Sequence, residues 1–317
     1  MTRISPYPLR SRRAVLESVV GVVFGQGMST VLRAADLPSH LEVGEASIDV
    51  SFDSDQFDID RAALFDWVMQ SARATTAYFG RFPVTHARVR LLQSPGARVS
   101  NGVSFGEPGA RCRITVGQHV TQADLDDDWV LTHEMIHFGF PSVEERHHWI
   151  EEGMATYVEP IALALVGRLT AERVWCEMVD RMPQGLPAPG DQGLDNTHTW
   201  GRTYWGGAIF CLLADIEIRK QTGNAKGLQD ALRAVNRAGG TIEADWILER
   251  ALEIGDKATG GATLMDLYGQ MASKPVSVDL PHLWAQLGVR PNGQGVALDD
   301  QAPWAEIHTA ICRGHDR

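Results

Sequence analysis

The apolar and polar positions in the first third of the chain alternate in a way that predicts a small sheet. Residues 48–52 alternate like a strand with one face exposed to water. Residues 88–92 and 113–116 are two further strand-like runs, and the stretch between them, rich in glycine, proline and serine, predicts a loop. The pattern therefore indicates three strands in this part of the chain.

Between and after these strands, apolar residues recur at helical spacing. Asp60 is placed to cap a helix over residues 61–79. A second helix is predicted to begin near Ala123, where several early aspartates suit the positive end of the helix dipole. The same helix is expected to carry residues 129–137.

The second half of the chain is predicted to be helical. From Glu151 onward the helical spacing continues almost to the end, and Thr263 with Asp266 has the form of a capping box. A small sheet with helices, followed by a helical half, is typical of the α+β class. We therefore expect a sheet-containing part over residues 36–140 and a helical part over residues 141–317.

Charge is distributed unevenly along the 317 residues. The formal net charge is −11, but residues 1–35 contain five arginines and one glutamate, a net +4, which leaves the remaining chain at −15. A body this acidic repels phosphate backbones, so nucleic acid is not expected as a partner.

The basic N-terminal segment has the outline of an export signal. Its arginines precede a short apolar stretch at residues 19–24, and Arg12 and Arg13 lie in a sequence that resembles the twin-arginine export motif. We expect residues 1–35 to direct export to the periplasm or the medium, with a basic N-terminal arm as the alternative. No stretch reaches the roughly 18 apolar residues needed to span a bilayer, so no stable membrane span is expected.

The four cysteines, at positions 112, 176, 211 and 312, are scattered without a C-x-x-C pair. This spacing argues against a structural zinc site built from cysteines. The helical patterns around Cys176 and Cys211 favour packing roles, and the spacing leaves any disulfide pairing open.

The sequence H-E-M-I-H at residues 133–137 carries the strongest chemical signal. On a helix, His133 and His137 project from one face and can reach a single ion, and Glu134 lies close enough to contact a water bound there. Imidazole nitrogen and carboxylate oxygen are ligands of catalytic zinc, which keeps one position open for water. The segment therefore predicts one Zn²⁺ per chain, with a third ligand from elsewhere.

Two known patterns compete for the third ligand. The metzincin pattern requires glycine and histidine where this chain has Phe140 and Val143, so it is excluded. The segment W-I-E-E-G-M-A-T-Y at residues 149–157 resembles the second zinc helix of the gluzincin metallopeptidases. That family places its glutamate ligand directly before the glycine, which implies Glu152.

Together with residues 204–219, these segments resemble the glycyl aminopeptidase branch of the gluzincins, within the thermolysin-like MA clan. The resemblance covers roughly residues 85–290. It implies a thermolysin-like catalytic subdomain, with a small mixed sheet and the zinc-binding helices, packed on a mainly helical C-terminal subdomain. It also implies that Tyr204 faces the metal and donates to the oxyanion.

Residues 101–106 depart from this resemblance. Aminopeptidases of the clan carry Gly-x-Met/Leu-Glu on a strand ahead of the zinc helix, and its glutamate binds the free amine of the substrate. This chain has Ser104 or Phe105 where that acid belongs. Glu107 is one substitute, but the departure favours a different substrate register, such as internal cleavage.

Three polar residues close to the motif are open to interpretation. His147 and His148 are expected in a solvated loop, because the ligand set is complete without them. Glu159 follows Glu152 by seven residues on the same helical face. It is either a carboxylate that orients a metal ligand or one at the surface.

The residues together predict a zinc-dependent metallopeptidase acting on peptides or proteins. Zinc lowers the pKa of its water toward about 7 and polarises the scissile carbonyl, while Glu134 takes the proton of the water and later passes it to the leaving amine. A zinc-binding scaffold that has lost catalysis is one alternative, motivated by the missing amine-binding glutamate. A zinc hydrolase of a non-peptide amide is another.

Overall fold

The computed structural model describes residues 39–293 and 295–313, so the predicted export signal lies outside the described residues. The strands are β1 (Ser39–Val43), β2 (Ala46–Phe52), β3 (His86–Ser94), β4 (Val99–Phe105), β5 (Arg111–Gly117), β6 (Val289–Pro291) and β7 (Val296–Leu298). The helices are α1 (Arg61–Phe79), α2 (Gln122–Asp126), α3 (Val130–Ile136), α4 (His148–Leu165), α5 (Ala171–Arg181), α6 (Gly207–Gln221), α7 (Leu228–Arg237), α8 (Leu248–Thr259), α9 (Thr263–Met271), α10 (Leu280–Leu287) and α11 (Ala305–Arg313). Within the described ranges, every helix is too short or too polar to cross a bilayer.

The first five strands form one mixed sheet in the order β1-β2-β3-β5-β4. The three inner strands are parallel to one another, and the two edge strands, β1 and β4, run antiparallel to their neighbours. Strands β6 and β7 form a separate antiparallel pair near the C-terminal end. A mixed sheet followed by a run of helices confirms the predicted α+β class.

Strand β4 lies where the local pattern predicted only a loop. The glycine that suggested a turn, Gly102, is in fact a point of close approach, because a Cβ atom there would lie 2.5 Å from Cγ of Glu134. The strand hydrogen-bonds to β5 and packs against α3. The strand therefore has small residues where helix α3 packs closely against it. Secondary-structure propensities do not include such contacts.

The first predicted helix is confirmed, and the second is wrong in one respect. Helix α1 spans Arg61–Phe79, and the side chain of Asp60 accepts a hydrogen bond from the N–H of Ala62. The second helix is two helices, because Asp128 interrupts it and accepts the N–H groups of Val130 (3.1 Å) and Leu131 (3.2 Å). A short aspartate side chain competes with the helical hydrogen bonds and here caps the start of α3.

The capping box predicted from Thr263 and Asp266 is also wrong. Thr263 lies inside the first turn of α9, and its hydroxyl donates to the side chain of Gln221 at 3.3 Å. The N–H groups that open α9 are accepted by Asp256 of the preceding helix instead, at 2.8 and 3.0 Å. A cap supplied from another helix depends on tertiary packing, so local spacing could not reveal it.

Two clusters of buried apolar side chains stabilise the fold. One joins the inner face of the sheet to the first half of α1 and most of α3, and the other fills the helical half around α4 and α6. Helix α1 contributes Leu64 and Val68 to the first cluster and Tyr78 and Phe79 to the second. All four cysteines are free thiols, and all but Cys176 are buried, in agreement with packing roles.

A buried ion pair ties α6 to its neighbours in the helical half. Nε of Arg219 donates to Asp215 at 2.8 Å, and the hydroxyl of Tyr157 donates to the same carboxylate at 2.9 Å. The backbone N–H of Leu228, which opens α7, donates to it at 2.9 Å. One carboxylate therefore joins α4, α6 and α7.

We expect Asp215→Ala to lower the free energy of unfolding by about 3–5 kcal/mol, because it leaves the Arg219 charge buried without its partner. The matched control is Glu217→Ala on the same helix, which removes an exposed pair with Lys220 (3.1 Å). That change should cost less than about 1 kcal/mol. Urea unfolding of both variants checks this, and equal losses would contradict it.

Candidate metal centre

Two glycines allow the elements of the motif to approach one another closely. After α3, the chain turns through the short 3-10 helix His137–Gly139, where a Cβ on Gly139 would lie 2.2 Å from the ring of Phe79. Helix α4 then crosses α6, where a Cβ on Gly153 would lie 2.3 Å from Cα of Gly207. Any larger residue at either position would push these elements apart.

The structure brings His133, His137 and Glu152 together. One nitrogen or oxygen atom of each lies within 4.8 Å of the others, and all three side chains are buried. Oε2 of Glu152 is 3.3 Å from Nε2 of His133 and 3.5 Å from Nε2 of His137. A tetrahedral zinc site with ligand distances of about 2.0–2.1 Å has edges of about 3.3–3.4 Å. The donor set therefore fits one zinc ion in both chemistry and spacing.

The charge state of Glu152 also suits a metal ligand. Burial raises the pKa of this carboxyl, but the imidazoles of His137 and His133 outweigh burial and hold the pKa well below its usual range. A metal binds the deprotonated carboxylate, so no proton has to leave Glu152 near neutral pH.

Glu134 follows the first histidine on α3, and the residue is only 8% exposed. Its Oε2 accepts a hydrogen bond from the hydroxyl of Ser104 at 2.7 Å. Gly102, two residues earlier on β4, lies against the other side of the same carboxylate. The predicted general base thus lies between α3 and the edge strand β4.

His148 is wrongly predicted as a residue of a solvated loop. It opens α4, and its ring lies between two carboxylates, with Nδ1 3.0 Å from Oε2 of Glu151 and Nε2 3.3 Å from Oε1 of Glu152. The second oxygen of the candidate ligand therefore has its own histidine neighbour. A group in this position fixes the orientation of a metal-binding carboxylate. Only its spacing of four residues from Glu152 could have suggested this contact.

His147 is wrongly predicted in the same way, since it is buried and faces the helical half. Its Nδ1 lies 2.8 Å from Asp195. The same carboxylate accepts hydrogen bonds from the indole of Trp149 (2.7 Å) and the hydroxyl of Tyr268 (3.2 Å). This network ties the start of α4 to the loop before α6 and to α9.

Tyr204 lies in the π-helical turn Arg202–Gly206 that leads into α6. Its ring stacks over that of His133, with centroids 6.3 Å apart, and Trp200 stacks on it at 5.6 Å. Trp129, 42% exposed, contacts His133 edge-on at 5.6 Å. Short π-helical turns occur often at functional sites. Tyr204 is therefore beside His133, one of the three candidate ligands, within a row of aromatic rings.

The segment where the resemblance expects an amine-binding glutamate offers no acid to the site. The ring of Phe105 lies under the guanidinium groups of Arg111 and Arg113, each 4.8 Å from its centroid. Glu107 is exposed in the turn between β4 and β5. Within the described ranges, no hydrogen bond or ion pair joins Phe105 or Glu107 to the three candidate ligands.

Glu159 is buried, so its interpretation as a surface carboxylate is wrong. Burial raises its pKa well above the ordinary value, and the carboxylates of Glu177 and Asp128 raise it further. Burial likewise raises the pKa of Asp128 to about 6. Glu159, Glu177 and Asp128 therefore form a group of carboxyls in which burial and mutual repulsion make the ionisation of Glu159 costly.

This burial predicts a pH-dependent effect of Glu159→Gln. In the unfolded chain a glutamate ionises above a pKa of about 4.3, whereas the folded protein holds the proton to higher pH, so wild type loses stability as the pH rises. The glutamine cannot ionise, and we expect the variant to be more stable than wild type by about 1–2 kcal/mol at pH 8, with a smaller difference at pH 5. Urea unfolding at both pH values, with the exposed Glu145→Gln as control, checks this. A pH-independent difference would contradict it.

The sequence matches no family model and no curated protein. Solved structures do match the fold. An aminopeptidase N family protein from Idiomarina loihiensis aligns with a TM-score of 0.60 and 13% identity, over 84% of this chain and 52% of that one. A two-domain M1 zinc metallopeptidase variant bound to L-arginine aligns with a TM-score of 0.50 and 16% identity, over 77% of this chain and 52% of that one.

At identities this low, the likeness establishes a shared fold. The chain spans about half the length of the solved structures it matches. The matched structures are M1 zinc metallopeptidases or aminopeptidases by name, and they do not single out the glycyl branch. The described part of this chain therefore has the fold of a portion of these metallopeptidases, with a buried set of zinc-type donors.

Proposed function

We propose that this protein is a zinc-dependent metallopeptidase of the gluzincin type, with His133, His137 and Glu152 as the ligands of one Zn²⁺. The observation that carries the proposal is the buried donor set, in which two imidazoles and one carboxylate approach one another at the spacing of a tetrahedral site. The M1 zinc metallopeptidase fold supports it.

In this proposal each polar residue of the site has one task. A bound zinc ion would acidify a water molecule and polarise the scissile carbonyl. Glu134 accepts the proton of that water and later delivers it to the nitrogen of the leaving amine. The hydroxyl of Tyr204 donates to the carbonyl oxygen as negative charge develops there.

The surroundings of the site favour cleavage that does not depend on a free amine. Strand β4 carries no acid, so the usual means of binding a substrate N-terminus is missing. Trp129 and Trp200 supply apolar surface on either side of His133 and Tyr204. We therefore propose internal cleavage, or action on a specialised peptide. We also propose that residues 36–140 and 141–317 form two parts of the protein, and that residues 1–35 direct its export.

Metal analysis followed by profiling on a peptide library tests the proposal. We expect about one zinc per chain and cleavage within peptides whose N-termini are blocked. Zinc without turnover across the library would favour the second candidate, a zinc-binding protein that has lost catalysis, which the acid-free strand β4 motivates. Turnover of non-peptide amides alone would indicate a different hydrolase.

Tyr204→Phe is expected to lower kcat about 100-fold with little change in zinc content, since a single oxyanion donor contributes a factor of about 10²–10³. Tyr268→Phe is the matched control, because it removes a tyrosine hydroxyl that hydrogen-bonds to Asp195 in the helical half. Steady-state kinetics on the best library peptide measures both. Equal kcat for Tyr204→Phe and wild type would rule out the oxyanion role.

A further inference from the structure

Among the residues that the structure describes, Ser104 is the one whose side chain hydrogen-bonds to the carboxylate of Glu134. Its hydroxyl oxygen lies 2.7 Å from Oε2 of Glu134 and 2.8 Å from the backbone carbonyl oxygen of the same residue. Ser104 is 2% exposed, so water does not compete for this hydroxyl. The contact joins β4 to α3 across 30 residues of sequence.

A serine hydroxyl has one hydrogen, so it donates to one of these two acceptors at a time. Donation to an ionised carboxylate makes the shorter and stronger bond, and the 2.7 Å distance is of that kind. The 2.7 Å contact therefore assigns the hydroxyl hydrogen to Oε2, which restrains rotation of the carboxyl group about its last bond.

The other oxygen of Glu134 has different surroundings. Oε1 lies beside Gly102, where a Cβ atom would come within 2.8 Å of it. Among the described residues, no hydrogen-bond donor to Oε1 is found. Gly102 and Ser104 are two apart on one strand and so share a face, one leaving room for the carboxylate and the other holding it.

We propose that Ser104 is a positioning residue for Glu134, an inference that rests on the proposed peptidase function. By holding Oε2, it leaves Oε1 as the oxygen that exchanges protons. In the forward step, one O–H bond of the attacking water breaks as the water oxygen bonds to the scissile carbonyl carbon, and the released proton binds Oε1. The proton later leaves Oε1 for the amine nitrogen as the C–N bond breaks. Oε2 keeps its hydrogen bond to Ser104 throughout both steps.

This role gives strand β4, which carries no acid, a polar contact with the general base through Ser104. In the aminopeptidases that this chain resembles, the same strand is expected to contact the substrate amine. Here the buried side chain of Ser104 contacts Glu134 instead. Ser104 then aligns the general base and takes no part in binding the substrate. Loss of Ser104 should therefore affect kcat far more than KM.

The test compares Ser104→Ala, Ser104→Cys and Ser104→Thr, with Ser100→Ala as matched control. Ser100 lies on the same strand but is exposed, and its hydroxyl lies 3.5 Å from the carbonyl oxygen of Thr115. Loss of alignment should lower kcat about 10- to 100-fold in the Ala and Cys variants, with KM and zinc content unchanged. Ser104→Thr keeps the hydroxyl and should restore most of kcat, while Ser100→Ala should match wild type.

A second readout does not depend on activity. Crystal structures of wild type and Ser104→Ala should show the Glu134 carboxylate in one orientation with serine present and rotated or in two orientations without it. Unchanged kcat in both Ser104→Ala and Ser104→Cys, or an unmoved carboxylate in the alanine variant, would overturn the inference. If wild type cleaves no peptide, the proposed function fails, and the carboxylate orientation still decides whether Ser104 positions Glu134.

Discussion

Glu134→Gln is expected to lower kcat for peptide hydrolysis by about 10²–10⁴-fold, the range for a positioned general base. Glutamine has nearly the same shape and can keep a hydrogen bond with Ser104, but it cannot accept a proton from water. Zinc content should be unchanged, because the three proposed ligands are intact. Steady-state kinetics and metal analysis on the same preparation measure both quantities.

The control for this prediction is Glu145→Gln, an equivalent change at an exposed glutamate in the short 3-10 helix before α4. It should leave kcat and KM at wild-type values. Full activity in Glu134→Gln would show that another group accepts the proton, and the proposed chemistry would then be wrong.

Removal of one proposed ligand, by His137→Ala or Glu152→Ala, is expected to weaken zinc binding by more than about 100-fold. Loss of a residue that only hydrogen-bonds to a metal ligand lowers metal affinity by up to about 100-fold, so loss of a ligand itself should lower it further. Zinc should also stabilise wild type against heat, by about 4 kcal/mol at a concentration 1,000 times its Kd, and should stabilise the variants by less than about 1.4 kcal/mol at the same concentration. Zinc titration followed by thermal unfolding, with and without the metal, measures both effects.

His119→Ala is the matched control for the ligand variants. His119 is a surface histidine that pairs with Asp58 at 2.6 Å, and its side chain is 60% exposed. Its removal should leave zinc affinity and the zinc-induced rise in Tm unchanged. If His137→Ala retained both properties, the metal would have to bind elsewhere on the chain.

The parts of this molecule that follow from local sequence are those with a strong period or a fixed spacing. Helix α1 and its cap at Asp60 follow from apolar spacing and one capping residue. The approach of His133 to His137 follows from four-residue spacing on a helix. Glu152 required the resemblance, because nothing local distinguishes it from Glu151, and the structure places Glu152 in the cluster.

The features that sequence did not reveal depend on contacts between distant residues. Ser104 and Glu134 are 30 positions apart, and Asp195 lies 48 positions from His147. Strand β4 was missed because its glycine permits contact with Glu134, whereas glycine in sequence usually indicates a turn. Each of these contacts depends on tertiary packing, which local secondary-structure propensity does not predict.

The most direct test of the metal centre is a crystal structure of the zinc-loaded protein with anomalous data collected at the zinc absorption edge. We predict one strong peak about 2.0–2.2 Å from Nε2 of His133, Nε2 of His137 and a carboxylate oxygen of Glu152. A peak bound by other residues, or a Glu152 side chain that points away from the two histidines in the loaded protein, would contradict the account.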